Sequence, residues 1–235
     1  LIPVLAGKIG LNLTAKGVSV VNIANTAFLR YSRIFQRKEG AHMDCKVAII
    51  TDVDVKPVEA AETYQVSKSD GSGKETKTYT SDEIKDRIEK QRKHKTDKFN
   101  GQIVQTFVSP YWTLEYCLAK SGKVKKLFYK SVLEALLEEK HEEGVKNLTA
   151  YERAIVEIDS HFSSWTENDD SIAYKIYHHI LTGENNLVDV AQQPISKSII
   201  AQRFASNLKA DKSIDDLHLE NSISYLMNAI KYACS

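Results

Sequence analysis

A short apolar stretch that ends in two aspartates, residues 47–54 with the sequence VAIITDVD, constrains the fold more than any other part of the chain. Its β-branched and aliphatic residues predict a strand buried on both faces, as in parallel sheets. Ligands of open α/β sheets bind beyond the carboxyl ends of such strands. Asp52 and Asp54 therefore occupy a position suited to chemistry. Because two neighbouring carboxylates repel each other, a divalent cation between them is the first inference.

The size and composition of the chain indicate one large α/β domain, with or without an additional subdomain. A length of 235 residues is enough to bury a sizeable core. Hydrophobic residues make up 42% and charged residues 27%, as in soluble globular proteins. No apolar run approaches the roughly 18 residues of a membrane span, so we expect a cytoplasmic protein without a membrane segment.

The cysteines and the net charge exclude several other classes. Cys45, Cys117 and Cys234 are widely spaced and form no CxxC pair, which indicates reduced thiols rather than a disulfide framework or a zinc site. The formal net charge of +1 gives no overall basic surface. Binding to nucleic acid must therefore depend on local patches.

The order of the first predicted elements favours an α/β fold. Apolar residues at helical spacing open the chain, and a strand is expected over residues 18–23. A helix over residues 27–36 and the strand over residues 46–51 follow. Strand, helix and strand in this order form a βαβ unit with a right-handed crossover, so the two strands are expected to be parallel.

A third predicted strand, over residues 102–108, ends at the same edge of the sheet as Asp52. Thr113 follows it and can cap a helix. Glu115 then lies in the first turn of that helix, where a carboxylate is favoured by the helix dipole. The sequence therefore predicts that Glu115 and Asp52 lie near each other.

The segments after Asp54 are polar or helical. Residues 67–80 are rich in Ser, Gly, Lys and Thr and predict a flexible surface loop. Its GSGK sequence lacks the other residues of a phosphate-binding loop, so no nucleotide site is predicted there. A charged helix with a solvated face is expected over residues 81–98, with Ser81 as its N-cap. Helical periodicity continues over residues 125–183, 196–208 and 217–232.

Three interpretations of the aspartate pair follow from its chemistry. In the first, Asp52 and Asp54 hold Mg²⁺ together with water and phosphate oxygens, as in two-metal phosphodiester cleavage. In the second, Asp52 is the nucleophile and Asp54 the acid of a phosphatase of the haloacid dehalogenase type. In the third, the pair only caps a loop.

The phosphatase interpretation makes further demands on the sequence. It needs a Ser or Thr at a strand end, which Ser109 can supply, and a lysine, which Lys197 can supply. It also needs a second acidic pair after another apolar strand. The two candidate pairs, residues 169–170 and 215–216, follow polar segments and are expected to cap helices, which disfavours a phosphatase.

Several motifs taken together support the first interpretation. They are VAIITDVDVKP, WTLE after a strand, Ser-Lys followed by AQRFA, and GVSVVNIANTAF, at residues 47–57, 112–115, 196–205 and 17–28. With these motifs the chain resembles the TOPRIM nuclease domain of the overcoming-lysogenization-defect (OLD) family of ATP-dependent endonucleases. The resemblance implies a Rossmann-like α/β fold whose mainly parallel sheet is flanked by helices. It divides the chain into a TOPRIM core, an inserted all-helical subdomain and C-terminal helices that return to the core, at residues 1–120, 121–195 and 196–235.

The resemblance also implies a function and its site residues. Asp52 and Asp54 would be metal ligands with a catalytic role, Glu115 a further ligand, and Lys197 a catalytic base or a group that stabilises the transition state. The cofactors would be two Mg²⁺ or Mn²⁺ ions, and the substrate DNA. ATP would be used only by an ATPase domain upstream in the same polypeptide. A homo-oligomer is compatible with this organisation.

The chain departs from the family pattern at two places. The family carries a Glu-Gly motif and a second glutamate near the first helix, and we expect them to lie upstream of Leu1. Topoisomerase-type relatives have a third acid where this chain has Lys56, and Glu59, or in second place Glu62, can approach the site as a metal ligand instead. A site without these glutamates is expected to bind metal weakly. The alternative function is therefore a DNA-binding or dimerising module without activity.

Overall fold

A computed structural model describes residues 1–23, 28–41, 43–63, 65–68, 71–146, 148–183 and 194–235. Within these ranges the chain is a mixed α/β structure in which helices dominate and the sheet is small. The α-helices are α1 Ile2–Lys8, α2 Phe28–Phe35, α3 Ser81–Phe99, α4 Leu114–Lys120, α5 Lys125–Glu142, α6 Thr149–Val156, α7 Ile158–Ser163, α8 Asp169–Thr182, α9 Lys197–Ala210 and α10 Ser224–Ala233. The strands are β1 Val47–Thr51, β2 Gln65–Ser67, β3 Lys74–Thr76 and β4 Val104–Val108. Two 3₁₀-helices span Val58–Thr63 and Leu217–Leu219.

The strand before the two aspartates pairs in parallel with the later strand, as predicted. β1 and β4 run in register, with Val47 opposite Val104 and Thr51 opposite Val108. Both strands therefore deliver the residues that follow them to one edge of the sheet. The expectation that β1 is buried on both faces is wrong, because only Ile49 of this strand is buried. The β1–β4 sheet has two strands, which leaves much of β1 half-buried.

The predicted strand over residues 18–23 is absent from the described structure, and with it the predicted βαβ unit. Val21 is 75% exposed, and the segment has no regular hydrogen-bonded partner strand. β-branched residues favour a strand only where a neighbouring strand or a packed face receives them. α2 confirms the helix expected after this segment, although Ala27, its predicted first residue, lies outside the described residues.

The polar stretch after Asp54 is more ordered than predicted. β2 and β3 form an antiparallel pair inside the expected flexible loop. The N-cap of α3 lies one residue earlier than predicted, at Thr80 rather than Ser81. The Thr80 hydroxyl accepts from the Glu83 N–H, and the Glu83 carboxylate accepts from the Thr80 N–H.

One large hydrophobic core connects the N-terminal helix with the later helices. Its buried side chains come from α1, α4, α5, α6, α8, α9 and α10 and from segments between these helices. Phe128 on α5 and Phe204 on α9 meet edge to face, with their ring centroids 5.4 Å apart. None of the described helices is both long and apolar enough to cross a membrane. The subdomain boundaries at residues 120 and 195 stay a prediction.

A carboxylate and lysine cluster at the ends of the parallel strands

Asp52 lies directly beyond β1, and its side chain is held by the start of α4. The Leu114 N–H donates to Asp52 Oδ1 at 2.8 Å. Thr113 is the N-cap of α4, as predicted, and its hydroxyl accepts from the Tyr116 N–H at 3.3 Å. The sequence after β4 thus positions a backbone donor on a carboxylate 62 residues away in the chain.

Glu115 and Lys197 meet at the same place. Glu115 is in the first turn of α4, and Lys197 is the first residue of α9, directly after the N-cap Ser196. Lys197 Nζ donates to Glu115 Oε2 at 3.0 Å and to the Tyr177 hydroxyl at 3.4 Å. Burial alone would lower the pKa of Lys197, but the negative charge of Glu115 raises it. The lysine is therefore a fixed cation in this cluster.

Asp52 is the least compensated carboxylate of the cluster. Its pKa is raised to about 6, first by burial and then by the negative charges of Glu115 and Asp54. The Leu114 N–H and the charge of Lys197 act in the opposite direction. Asp52 is therefore ionised at neutral pH in surroundings that favour the uncharged form, and a cation close to it would be stabilising.

Asp54 turns towards a different element. Its φ of 59° lies in the left-handed region, and its N–H donates to the Trp112 carbonyl at 3.0 Å. Its carboxylate is 58% exposed and accepts from Lys95 Nζ at 2.5 Å. The same ammonium donates to the Asp52 carbonyl at 2.5 Å. The two aspartates thus face two sides of the cluster, Asp52 towards α4 and Asp54 towards α3.

Lys95 is a site residue that the sequence interpretation missed, because it was assigned to a solvated helix face. The signal that could have placed Lys95 correctly is the spacing of the apolar residues along α3. Ile84 and Phe99 are buried and Ile88 is half-buried, and Lys95 lies on the same stripe of the helix at spacings of eleven, seven and four residues. A lysine on the inward stripe of an amphipathic helix predicts an acidic partner beneath it.

Glu59, the other expected metal ligand, lies apart from this cluster. It belongs to the first 3₁₀-helix. Its negative charge acts on Tyr116, whose pKa is raised by burial first and by Glu59 second. In the described part of the chain no hydrogen bond or ion pair joins Glu59 to Asp52, Asp54 or Glu115. The structure therefore places Glu59 next to the cluster's aromatic surroundings and not among its carboxylates.

Ser109 supports the loop that carries both aspartates. It is fully buried, its Oγ accepts from the Val53 N–H at 2.8 Å, and its hydroxyl donates to the Tyr111 carbonyl at 2.6 Å. Both hydrogen-bonding directions of this hydroxyl serve the backbone. Ser109 is thus not free to bind a phosphoryl group, as a phosphatase of the haloacid dehalogenase type would require.

We expect Ser109→Ala to lower the free energy of unfolding by about 1–3 kcal/mol, because it leaves the buried Val53 N–H without its acceptor. Urea unfolding followed by circular dichroism measures the change. Ser213→Ala is the matched control, since Ser213 is exposed and its hydroxyl donates to the nearby Asp211. An equal effect of the two substitutions would contradict a supporting role for Ser109.

The donor groups of the cluster suit a hard divalent cation, but they are only partly assembled. Carboxylate oxygens are the ligands that Mg²⁺ prefers, and one or two of them suffice when water and phosphate oxygens complete the octahedron. Across the described residues, no three His, Cys, Asp or Glu side chains form a ready metal site. Lysines hold two of the carboxylates, Asp54 and Glu115. Of the three carboxylates, Asp52 is the one that forms no ion pair within the described residues, so an ion bound here would depend mainly on Asp52.

Comparisons with protein-family models, with curated proteins and with solved structures gave no match to this chain. The TOPRIM resemblance therefore depends on the sequence motifs alone. The geometry that bears on function is that of Asp52, Asp54, Glu115, Lys95 and Lys197, which we call the carboxylate–lysine cluster.

Proposed function

We propose that this chain is the catalytic domain of a TOPRIM-type, metal-dependent endonuclease that hydrolyses DNA phosphodiesters. The observation that supports the proposal is the meeting of Asp52, Glu115 and Lys197. Asp52 directly follows β1, Glu115 lies in the first turn of α4, and Lys197 is the first residue of α9. The contact between Lys197 and Glu115 joins residues 82 positions apart in the sequence. The motif resemblance anticipated the same three residues as partners in one site. The same resemblance implies an ATPase domain of the OLD type upstream in the same polypeptide.

The roles of the residues follow from their charges. Asp52 and Glu115 would hold Mg²⁺ or Mn²⁺, and the ion, when bound, supplies Lewis-acid polarisation of the phosphate and of water. Lys197 places an ammonium beside these carboxylates, where it can neutralise the negative charge that develops on phosphate oxygens. The Leu114 N–H keeps the Asp52 carboxylate in one orientation.

A polymeric substrate suits the position of the cluster at the surface. The carboxylate of Asp54 is largely exposed, and the side chain of Lys197 is partly exposed. Surface accessibility lets an extended phosphodiester chain approach the carboxylates without entering a deep cavity. Small phosphomonoesters need no such open approach. The buried Ser109, whose hydroxyl makes two hydrogen bonds to the backbone, also disfavours them as substrates.

The proposal is tested by incubating the chain with supercoiled plasmid in Mg²⁺ or Mn²⁺. We expect nicking by the wild type and none by Asp52→Ala, because the substitution removes the carboxylate on which the ion depends. Asp44→Ala is the matched control, since Asp44 is exposed and precedes β1 at the opposite end of the strand. Agarose electrophoresis measures the relaxed product. Equal nicking by Asp52→Ala and the wild type would overturn the proposal.

A second candidate is a DNA-binding or dimerising module without nuclease activity. The observation that favours it is the neutralisation of Asp54 and Glu115 by Lys95 and Lys197. A carboxylate cluster closed by lysines needs no metal to be stable. Plasmid binding without nicking in either metal, measured by gel shift on the same samples, would support this candidate over the nuclease.

A further inference from the structure

The outer edge of β4 carries backbone groups that β1 does not use. The β1–β4 sheet has two strands, and their parallel register lets β1 bind every second residue of β4. The Ile103 carbonyl accepts from β1, so the odd-numbered residues that follow it also face β1. The even-numbered residues Val104, Thr106 and Val108 therefore direct their N–H and C=O groups away from the sheet.

Nearby residues of the chain satisfy only part of this edge. Val104 pairs through both backbone groups with Gly101, and the Thr106 N–H donates to Asn100 Oδ1 at 2.7 Å. The Thr106 carbonyl and both backbone groups of Val108 form no hydrogen bond with any described residue. These groups are two acceptors with one donor between them. An extended peptide backbone supplies the N–H groups that the carbonyls need, whereas a chain of phosphates supplies only acceptors.

This edge lies in a groove between two helices. A cavity of about 370 Å³ is bordered by residues 106–108, by Arg92 and Thr96 of α3, and by Tyr225 and Asn228 of α10. Because α3 and α10 stand on either side of β4, another folded domain would bring its own helices into collision with them. A single extended segment has no such obstacle, and residues 106–108 offer it a contact about 7 Å long.

The walls of the groove are polar and incompletely satisfied. Thr106 Oγ1 and the Tyr225 hydroxyl are buried and have no hydrogen-bond partner in the described part of the chain. Buried polar atoms nearly always have one. Among the described residues that border the groove, Arg92 carries the charge, and its partner is the exposed Glu89 of the same helix at 3.2 Å. Such an exposed pair contributes little, so Arg92 can exchange Glu89 for a carboxylate of a bound molecule.

We propose that the outer edge of β4 is a peptide-binding site, which takes an extended acidic segment of another protein as an added strand between α3 and α10. The Thr106 and Val108 carbonyls accept from the N–H groups of the peptide, and the Val108 N–H donates to a peptide carbonyl. An acidic side chain of the peptide pairs with Arg92. The site is distinct from the carboxylate–lysine cluster, so this inference is independent of the proposed nuclease activity.

Strand addition is tested by titrating the ¹⁵N-labelled chain with the blocked pentapeptide TVDVT, followed by NMR. We expect the Val108 N–H signal to shift and to saturate, with a dissociation constant of about 1 mM or tighter. Two methylated peptides identify backbone pairing, one with N-methyl groups on the first, third and fifth residues and one with them on the second and fourth. Since a strand pairs through alternate residues, only one of the two should still bind.

Two substitutions test the groove and its charge. Asn228→Trp obstructs the groove and should weaken binding at least about tenfold, whereas Lys231→Trp, at an exposed position of α10 outside the groove, should leave it unchanged. The neutral peptide TVNVT should bind the wild type about threefold more weakly than TVDVT does. Arg92→Gln should bind the two peptides equally.

Several results would overturn the proposal. No saturable shift of the Val108 N–H with TVDVT would exclude this edge as the binding site, and equal binding of the two methylated peptides would exclude backbone pairing. A single-stranded thymidine oligonucleotide is titrated in parallel. If it shifts the Val108 N–H and the peptide does not, the groove is a nucleic-acid site and the proposal is wrong. The wild-type titrations decide this even where a variant is not folded.

Discussion

Replacing Asp52 with asparagine is expected to stabilise the metal-free chain by about 2 kcal/mol near neutral pH, although it removes the central ligand of the proposed site. The pKa of Asp52 is raised to about 6, first by burial and then by Glu115 and Asp54. The folded state therefore binds the proton more tightly than the unfolded state does. The contribution of Asp52 to the free energy of unfolding must therefore fall as the pH rises from about 4 to about 6.

The asparagine variant removes this pH dependence because its side chain stays neutral and can still accept from the Leu114 N–H. Urea unfolding in the presence of a chelator, at about pH 4 and about pH 7.5, measures the effect. We expect the two proteins to be equally stable at the lower pH and the variant to be more stable at the higher one. Asp44→Asn is the control and should change neither value. A variant that is less stable than the wild type at about pH 7.5 would contradict the assignment.

Replacing Phe204 with alanine is expected to lower the free energy of unfolding by about 3–5 kcal/mol. Phe204 is fully buried on α9 and meets the ring of Phe128 on α5 edge to face at 5.4 Å. The loss is a large fraction of the 5–15 kcal/mol that typically stabilises a domain. Because α9 also begins with Lys197, the variant should lose the lysine from the carboxylate–lysine cluster whenever the helix detaches.

Chemical denaturation measures the loss in Phe204→Ala. Val156→Ala is the matched control, since Val156 is a hydrophobic residue of α6 whose side chain is exposed, and it should change stability by less than about 0.5 kcal/mol. A second variant, Phe204→Leu, keeps most of the volume and should lose much less than the alanine variant. Equal stability of Phe204→Ala and the wild type would show that α5 and α9 are not packed as described.

The helices, and the edge of the sheet at which Asp52 lies, could be predicted from the sequence because capping residues and apolar patterns coincide there. Thr113 was predicted to cap α4 and does so, and a helix was predicted to begin near Ser196, which is the N-cap of α9. β1 was visible as an aliphatic run that ends in aspartates. Glu115 lies in the first turn of α4, so its place near Asp52 followed from the same signals, whereas the place of Lys197 was implied only by the family resemblance.

The predictions that were wrong concern residues whose structure is decided by their surroundings in the fold rather than by the local sequence. Residues 18–23 have the composition of a strand, but a strand needs a partner, and the structure gives β4 to β1 instead. Lys95 was assigned to solvent by its charge, although its spacing from Ile84 and Phe99 placed it inward. The β2–β3 hairpin lies in a polar sequence whose pairing depends on a backbone register that composition does not reveal.

The wide sequence separation within the cluster has a consequence for the order in which the protein forms. Its contacts join residues 62 and 82 positions apart, so local folding of any one segment leaves the cluster incomplete. During synthesis on the ribosome, Asp52 and Glu115 emerge long before Lys197. Under the proposed function, a nascent chain therefore lacks Lys197 at the carboxylates, and its site is incomplete, until α9 has been synthesised and has docked on α5.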